Sequence, residues 1–328
     1  MKRILITGAS GLLGVNLALS AARDGRAQDG GRYAVYGTVN RQALSTDAFA
    51  VIQTDLLAPG ALERLLERTR PDWVIHCAAL AELDACEADP EKARQLNSVL
   101  PGKLAGLVAR GGARLIHVST DAVFDGRTGG YTETDTPNPL SAYARTKLEG
   151  ERAVSQANPK AIIARVNLFG WSLTGKRSLA EFFFYNLSAG KQVMGFTDVF
   201  FCPLLANRLA AIFFQMLERN LEGLYHVVSP ECTSKYEFGL RIAHKFGLDE
   251  SLIMPTSLTQ AGLKAARSPN LTLRSDKLAQ ALGAPPPGLS PALDEFYTLY
   301  QQGYPQLLRK IAGRMKKLPP RHQDTKDH

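Results

Sequence analysis

Short runs of β-branched and other apolar residues alternate with longer stretches of helical periodicity through the first half of the chain. The runs predict six strands, at Arg3–Thr7, Tyr33–Val39, Val51–Thr54, Trp73–Cys77, Leu115–Ser119 and Ala161–Val166. The periodic stretches predict helices between them, at Leu12–Arg23, Pro59–Arg70, Pro90–Arg110 and Ala142–Gln156. Alternation of this kind is typical of parallel strands joined by right-handed crossover helices. The pattern therefore predicts a doubly wound parallel α/β sheet.

The pattern becomes less regular after residue 166. Helices are predicted at Ser178–Ala189, Leu204–Arg219 and Lys235–Phe246, with a strand at Gly223–Val228. We therefore divide the chain into a first domain of residues 1–166, a smaller α/β lobe of residues 167–300 and a C-terminal extension of residues 301–328. The division allows the second lobe to interleave with the first.

Composition and charge narrow the choice of partners. Of 328 residues, 45% are hydrophobic and 21% charged, which is ordinary for a globular protein. The formal net charge is +8, but the seven basic and two acidic residues from Arg309 onward carry +5 of it. A surplus of +3 over the rest does not call for a nucleic-acid partner. No apolar stretch approaches the roughly 18 residues of a membrane span, and we expect neither nucleic acid nor membrane as a partner.

The cysteines are Cys77, Cys86, Cys202 and Cys232, and they form no CxxC pair. They also lack the spacing of metal ligands, and the six histidines show no HExxH motif. We therefore expect reduced cysteines, a cytoplasmic protein and no bound metal.

A glycine-rich segment joins the first predicted strand to the first predicted helix. Gly8 permits a tight turn, Gly11 lets the backbone approach a pyrophosphate, and Gly14 allows close packing of helix on strand. The helix start also presents free N–H groups to phosphates. An ordinary tight connection is the alternative, but the strand–turn–helix context favours a dinucleotide site.

The end of the second strand distinguishes the two nicotinamide dinucleotides. A carboxylate there would bind the ribose hydroxyls of NAD and repel an added phosphate. This chain has Asn40 and Arg41 instead, and a guanidinium pairs well with phosphate. We expect NADP(H), with NAD as the alternative.

Candidate catalytic residues follow at the fifth strand and the helix after it. Tyr143 and Lys147 are four residues apart, so they share one helix face. An ammonium next to a phenol is expected to lower the phenol's pKa and to assist proton transfer. Ser119 and Thr120 lie at the carboxyl end of a strand, where open α/β sheets bind ligands.

These motifs together resemble the extended short-chain dehydrogenase/reductase superfamily, whose cofactor domain is Rossmann-type. Within it the chain is similar to the dTDP-4-dehydrorhamnose reductases over residues 1 to about 295. Further segments carry the resemblance, namely His76–Ala79, Gln95–Asn97, Ser119–Gly126, Pro137–Tyr143, and Arg267–Asn270 with Leu273, Lys277 and Leu278.

The resemblance implies a role for each matching residue. Tyr143 would protonate the carbonyl oxygen, Lys147 would bind the nicotinamide ribose, and Thr120 would hydrogen-bond the reacting oxygen. Asn97 would complete the catalytic set by supporting Lys147 through a water. The remaining cofactor contacts would be the turn residues Gly8, Ser10, Gly11, Leu12, Leu13 and Gly14, then Asn40, Arg41, Asp55, Leu56, Cys77, Ala78, Ala79, Leu80 and Ser119.

The substrate side is specified less closely. Thr120 and Val123 are candidate substrate contacts, and Lys176 and Arg177 are expected to face the pyrophosphate of a nucleotide sugar. Ala122 cannot exchange a proton, which disfavours a nucleotide-sugar dehydratase. Asn16 stands where some of these reductases have a metal-binding glutamate, which agrees with the expected absence of metal.

Three functions remain open from the sequence. The first is an NADPH-dependent reductase of a nucleotide-linked 4-keto sugar, acting as a monomer or homodimer. The second is a sugar-nucleotide epimerase that uses the same tyrosine and lysine. The third is an NADP-binding regulatory subunit similar to the β subunit of methionine adenosyltransferase.

Overall fold

The computed structural model describes residues 1–25, 32–260 and 268–313. The strands found there are β1 (Lys2–Thr7), β2 (Tyr33–Val39), β3 (Ala50–Gln53), β4 (Trp73–His76), β5 (Arg114–Thr120), β6 (Ile162–Val166), β7 (Leu168–Phe169), β8 (Val193–Phe196), β9 (Phe200–Phe201), β10 (Leu204–Leu205), β11 (Gly223–Val227), β12 (Thr233–Ser234) and β13 (Ile253–Thr256). Arg267 of the predicted substrate-lobe motif, and residues 314–328 of the predicted extension, lie outside the described residues.

The helices alternate with these strands. They are α1 (Leu12–Gly25), α2 (Ala61–Thr69), α3 (Leu83–Ala88), α4 (Pro90–Arg94), α5 (Leu100–Arg110), α6 (Ala142–Ala157), α7 (Leu179–Leu187), α8 (Ala206–Glu218), α9 (Lys235–Phe246), α10 (Asp276–Leu282), α11 (Leu289–Gln301) and α12 (Tyr304–Ile311). One π-helical turn, Gln95–Val99, joins α4 to α5 within the single long helix predicted there. No described helix has the length and apolar character needed to cross a membrane.

Seven parallel strands form the central sheet, in the order β11-β6-β5-β4-β1-β2-β3. This confirms the predicted doubly wound α/β fold. The edge strand β11 comes from the chain beyond residue 166 and pairs with β6, from Gly223 opposite Ile162 to Val227 opposite Val166. The second half of the chain therefore contributes an edge strand to the central seven-stranded sheet. Three two-stranded sheets, β10-β7, β12-β9 and β13-β8, lie outside it.

Local sequence explains where the helices of the site begin. Ser141 caps α6 by accepting a hydrogen bond from the Ala144 amide. Ser178 caps α7 in the same way and receives the amide of Glu181, three residues on. A serine followed three residues later by glutamate is a capping box. These helix starts are therefore determined by local sequence.

The cores lie on both faces of the sheet. One face packs α2, α5 and α6 through Leu62, Leu104 and Val154, and the other carries the larger cluster that includes α1 and α8. That larger cluster continues into the second lobe, where Trp171 stacks on Phe296 with ring centroids 4.1 Å apart. Contiguous packing across both halves of the chain joins the lobes into one body.

The expectation of four reduced cysteines is wrong for two of them. Cys202 and Cys232 form a disulfide, whereas Cys77 and Cys86 are free. The paired cysteines are 30 positions apart in the sequence, so their spacing did not reveal this contact. They meet because Cys202 follows β9, Cys232 precedes β12, and these two strands pair antiparallel.

Candidate active site

The glycine turn follows β1 and opens α1. Gly8 has a φ of +71°, and a Cβ there would lie 2.8 Å from the Ala78 amide nitrogen. A Cβ on Gly14 would overlap the carbonyl of Gly8. The Gly11 amide donates to the Gly8 carbonyl at 2.9 Å, which closes the turn. The result is a bare backbone surface at a helix N-terminus, suited to a phosphate.

A cavity of about 220 Å³ lies beside this turn, at the carboxyl ends of β1 to β4. We call it the outer cavity. Arg41 is exposed and does not line it. Its lining residues are Gly8, Ser10, Gly11, Thr38, Val39, Asn40, Thr54, Asp55, Leu56, Cys77, Ala78, Ala79, Leu96 and Arg177.

A second cavity of about 370 Å³, the inner cavity, lies at the carboxyl ends of β5 and β6. It shares Gly11, Cys77, Ala79 and Arg177 with the outer cavity, so the two meet along these residues. The rest of its lining is Leu12, Leu13, Gly14, Ala81, Val118, Ser119, Thr120, Asp121, Tyr143, Lys147, Val166, Asn167 and Leu168.

The structure brings Thr120, Tyr143 and Lys147 together in the inner cavity. Tyr143 and Lys147 lie one turn apart on α6, and the Thr120 hydroxyl hydrogen-bonds the phenol. The Lys147 Nζ is buried and donates to the Val118 carbonyl at 2.6 Å. A proton donor, a hydroxyl partner and a cation therefore surround one space beside the glycine turn.

Burial is the largest influence on the pKa values of Tyr143 and Lys147. It raises the pKa of Tyr143 to about 12, although the Thr120 hydrogen bond acts in the opposite direction. It lowers the pKa of Lys147 to about 8, against the attraction of the Glu151 carboxylate. The expectation that Lys147 brings the Tyr143 pKa below its usual value is therefore wrong in this structure, because desolvation of the phenol raises the pKa and the Asp121 carboxylate raises it further. Tyr143 is a neutral acid at physiological pH.

Asp121 is a site residue that sequence reasoning left without a role. Its carboxylate accepts from Thr120 Oγ1 at 3.1 Å and from Asn167 Nδ2 at 2.5 Å. Burial raises its pKa to about 6, and these hydrogen bonds oppose the rise. Its position directly after β5, at the carboxyl edge of the sheet, was the available signal.

Asn97 lies in the π-helical turn and holds the backbone of the neighbouring loop. Its side chain accepts from the Leu80 amide at 2.9 Å and donates to the Leu80 carbonyl at 3.0 Å and to Thr146 Oγ1 at 3.2 Å. A Cβ on Gly150 would overlap the Asn97 carbonyl, so α6 packs directly on this turn. Asn97 and Leu80 line neither cavity.

Ser119 lines the inner cavity, and its hydroxyl is already engaged in a buried hydrogen bond. It donates to Glu151 Oε1 at 2.5 Å, and Glu151 also receives Arg165 Nη2 at 2.8 Å. All three side chains are buried, and His226 Nε2 lies 3.4 Å from Arg165 Nη1. We call these four residues the buried polar network. Sequence reasoning missed it because its members come from four separate segments.

Two further predicted substrate residues lie elsewhere. Val123 is fully buried in a core cluster with Phe124 and Leu148. Lys176 is exposed and lines neither cavity. Within residues 1–25, 32–260 and 268–313, no group of three or more His, Cys, Asp or Glu side chains could hold a metal ion.

Comparison with known proteins agrees with this geometry. The family described as RmlD substrate binding domain matches residues 1–302. The chain belongs to this family. A dTDP-4-dehydrorhamnose reductase of Mycobacterium tuberculosis is 34% identical over 287 residues, covering 85% of this chain and 87% of that protein. A probable low-salt glycan biosynthesis reductase of Haloferax volcanii is 33% identical, covering 87% and 93%.

Three further proteins are similar to this chain, one in sequence and two in solved structure. The methionine adenosyltransferase 2 subunit beta of Danio rerio is 32% identical, covering 84% of each chain. Among solved structures, a dTDP-4-dehydrorhamnose reductase from Clostridium acetobutylicum superposes with a TM-score of 0.75 at 27% identity, covering 91% of this chain and 99% of that one. A Bacillus anthracis dTDP-4-dehydrorhamnose reductase in complex with NADP shares the fold, with a TM-score of 0.75 at 23% identity, and covers 90% and 99%.

Proposed function

We propose that this chain is an NADPH-dependent reductase of a nucleotide-linked 4-keto sugar. It is an NAD(P)-dependent oxidoreductase of the extended short-chain dehydrogenase/reductase type, in agreement with its RmlD family membership and its reductase relatives. The observation that carries the proposal is the grouping of Thr120, Tyr143 and Lys147 in a cavity that adjoins the glycine turn.

The residues of the two cavities fit a nicotinamide dinucleotide. Neighbouring backbone atoms exclude any side chain at Gly8 and Gly14. The backbone amides at the start of α1 are therefore left bare for a phosphate. In the outer cavity, Asp55 and Asn40 are positioned to contact an adenosine. The exposed Arg41 directly follows Asn40 in the chain and could bind the 2′-phosphate that distinguishes NADP from NAD. A relative of the same fold was solved with NADP. These features support NADP(H) as the cofactor.

The proposed chemistry divides the work between cofactor and protein. A bound nicotinamide supplies the hydride that reduces the carbonyl carbon. Tyr143 donates its phenolic proton to the carbonyl oxygen, so the ketone becomes an alcohol, and the Thr120 hydroxyl holds that oxygen beside the phenol. The Lys147 ammonium binds ribose hydroxyls and stabilises the phenolate that remains.

The decisive assay is NADPH oxidation with a panel of nucleotide-linked 4-keto sugars, including dTDP-4-dehydrorhamnose. We expect stoichiometric loss of NADPH with at least one member and formation of the corresponding alcohol. Interconversion of sugars without net NADPH loss would instead indicate an epimerase. NADPH binding with no turnover of any panel member would contradict the reductase proposal.

The relatives named methionine adenosyltransferase 2 subunit beta support a second candidate, a cofactor-binding regulatory subunit. An intact Tyr143 and Lys147 do not distinguish it from an enzyme. The distinguishing result is a stable complex with a methionine adenosyltransferase catalytic subunit, measured by size-exclusion chromatography with light scattering. The reductase proposal expects no such complex.

The pH dependence of catalysis follows from Lys147. Its pKa is lowered to about 8, so the ammonium is present below that pH and is lost as pH rises through it. Tyr143, at about 12, stays protonated throughout. We expect kcat/KM for NADPH to fall about tenfold per pH unit above roughly pH 8, because this parameter reports groups of the free enzyme. The residual activity of Lys147→Arg should lack this decline, since a guanidinium does not titrate there.

A further inference from the structure

Arg177, which the sequence predicts to face the pyrophosphate of a nucleotide sugar, lines both cavities of the candidate site. It lines the outer cavity together with Asn40 and Asp55, and it lines the inner cavity together with Tyr143. Gly11 of the phosphate-binding turn is shared by the same two cavities. Arg177 therefore lies where the two cavities meet, opposite the glycine turn.

The place where the two cavities meet would hold the middle of a bound dinucleotide. If the adenosine fills the outer cavity and the nicotinamide riboside the inner one, the pyrophosphate that links them must cross at Gly11. The start of α1 supplies N–H groups from one side. Among the described residues that line the cavities, the basic side chains are Lys147, turned toward the Val118 carbonyl deep in the inner cavity, and Arg177.

The loop that carries Arg177 is held rigidly. The Arg177 amide donates to Glu181 Oε2 at 2.9 Å, and Glu181 also receives the Ser172 amide at 2.6 Å and the Ser172 hydroxyl at 2.8 Å. Glu181 is fully buried. These hydrogen bonds fix the loop backbone, whereas the Arg177 side chain is exposed.

The same loop is tied to the phosphate-binding helix itself. Asn16 on α1 donates to the Trp171 carbonyl at 3.0 Å and to the Leu12 carbonyl at 2.7 Å. The Tyr304 hydroxyl donates to Asn16 Oδ1 at 2.8 Å, so this fully buried amide has partners for both its nitrogen and its oxygen. Asn16 thus sets the distance between the glycine turn and the loop of Arg177.

We propose that Arg177 binds the pyrophosphate of the dinucleotide cofactor, as a guanidinium brought from the second half of the chain to face the start of α1. This assignment rests on the proposed use of a nicotinamide dinucleotide. It replaces the expectation that Arg177 faces the pyrophosphate of the sugar nucleotide. A planar guanidinium suits two phosphate oxygens at once.

The test is calorimetric titration of the purified protein with NADPH and NADH, without sugar substrate. Arg177→Ala is expected to raise the Kd of both cofactors by about tenfold to a hundredfold, the range typical of a hydrogen bond to a charged group. The ratio of the two Kd values should stay unchanged, because both cofactors contain the pyrophosphate. Lys176→Ala, in the same loop, should leave both Kd values unchanged. Arg41→Ala should raise the Kd of NADPH alone.

Each result separates this inference from the proposed function. Wild-type protein that binds neither cofactor would overturn both. Unchanged Kd values in Arg177→Ala, with normal binding by wild type, would overturn only the assignment of Arg177. A raised KM for the sugar nucleotide at saturating NADPH, with unchanged cofactor Kd, would return Arg177 to the substrate. Loss of NADPH binding with retained NADH binding would assign it to the 2′-phosphate instead.

Discussion

Tyr143→Phe is expected to lower kcat by a factor of about 10² to 10⁴, the usual contribution of a positioned general acid. The substitution removes the only atom of this side chain that can donate a proton and leaves the ring in place. The surroundings of the hydroxyl are consistent with a role as proton donor, since Thr120 hydrogen-bonds it and burial keeps it protonated. The Kd for NADPH should remain at the wild-type value.

The measurement is a steady-state rate with the accepted 4-keto sugar, paired with a fluorescence titration of NADPH. Tyr36→Phe is the matched control, because Tyr36 lies on β2 and lines neither cavity. Its kcat should equal that of wild type. A Tyr143→Phe variant with wild-type kcat would show that another group delivers the proton, and Asp121 would become the first residue to test.

Local patterns in the sequence predicted much of the fold and the centre of the site. Gly8, Gly11 and Gly14 stand within one turn, and Tyr143 and Lys147 stand within one helical turn. Their proximity follows from local backbone geometry, so their spacing in the sequence is enough to predict it. Helix starts are equally local, as the serine caps of α6 and α7 show.

Contacts between distant segments could not be predicted in this way. The disulfide of Cys202 with Cys232 depends on the antiparallel pairing of β9 with β12. Arg177 reaches the outer and inner cavities because Glu181 and Asn16 hold its loop against α1. Neither arrangement leaves a periodic signal, and both require the packed tertiary structure.

Helix α6 combines residues predicted from local spacing with a contact between distant segments. Tyr143, Lys147 and Glu151 follow one another at intervals of four residues, so they lie along one face of the helix. The first two line the inner cavity, whereas Glu151 enters the buried polar network. The ion pair of Glu151 with Arg165 therefore anchors α6 to β6 two turns beyond Tyr143 and holds the catalytic residues in position.

Breaking that ion pair should therefore have a large effect on stability. Arg165→Met leaves the Glu151 carboxylate buried with Ser119 as its remaining hydrogen-bond donor within the network. Removing one partner of a buried pair costs about 3 to 5 kcal/mol in the free energy of unfolding. Urea unfolding followed by circular dichroism measures this change. Arg94→Met breaks an exposed pair with Glu91 on α4 and should cost much less.

The double variant Arg165→Met with Glu151→Leu tests the cause of the loss. Apolar side chains of similar volume need no charge partner, so replacing both members should recover most of the lost stability. If the double variant is as unstable as Arg165→Met, the cost comes from the lost packing of the Arg165 guanidinium, whose Cζ lies 5.0 Å from the centroid of the Phe124 ring. If Arg165→Met costs no more than Arg94→Met, the network does not anchor α6. Because Lys147 lies one turn from Glu151, a recovered double variant should also retain NADPH binding.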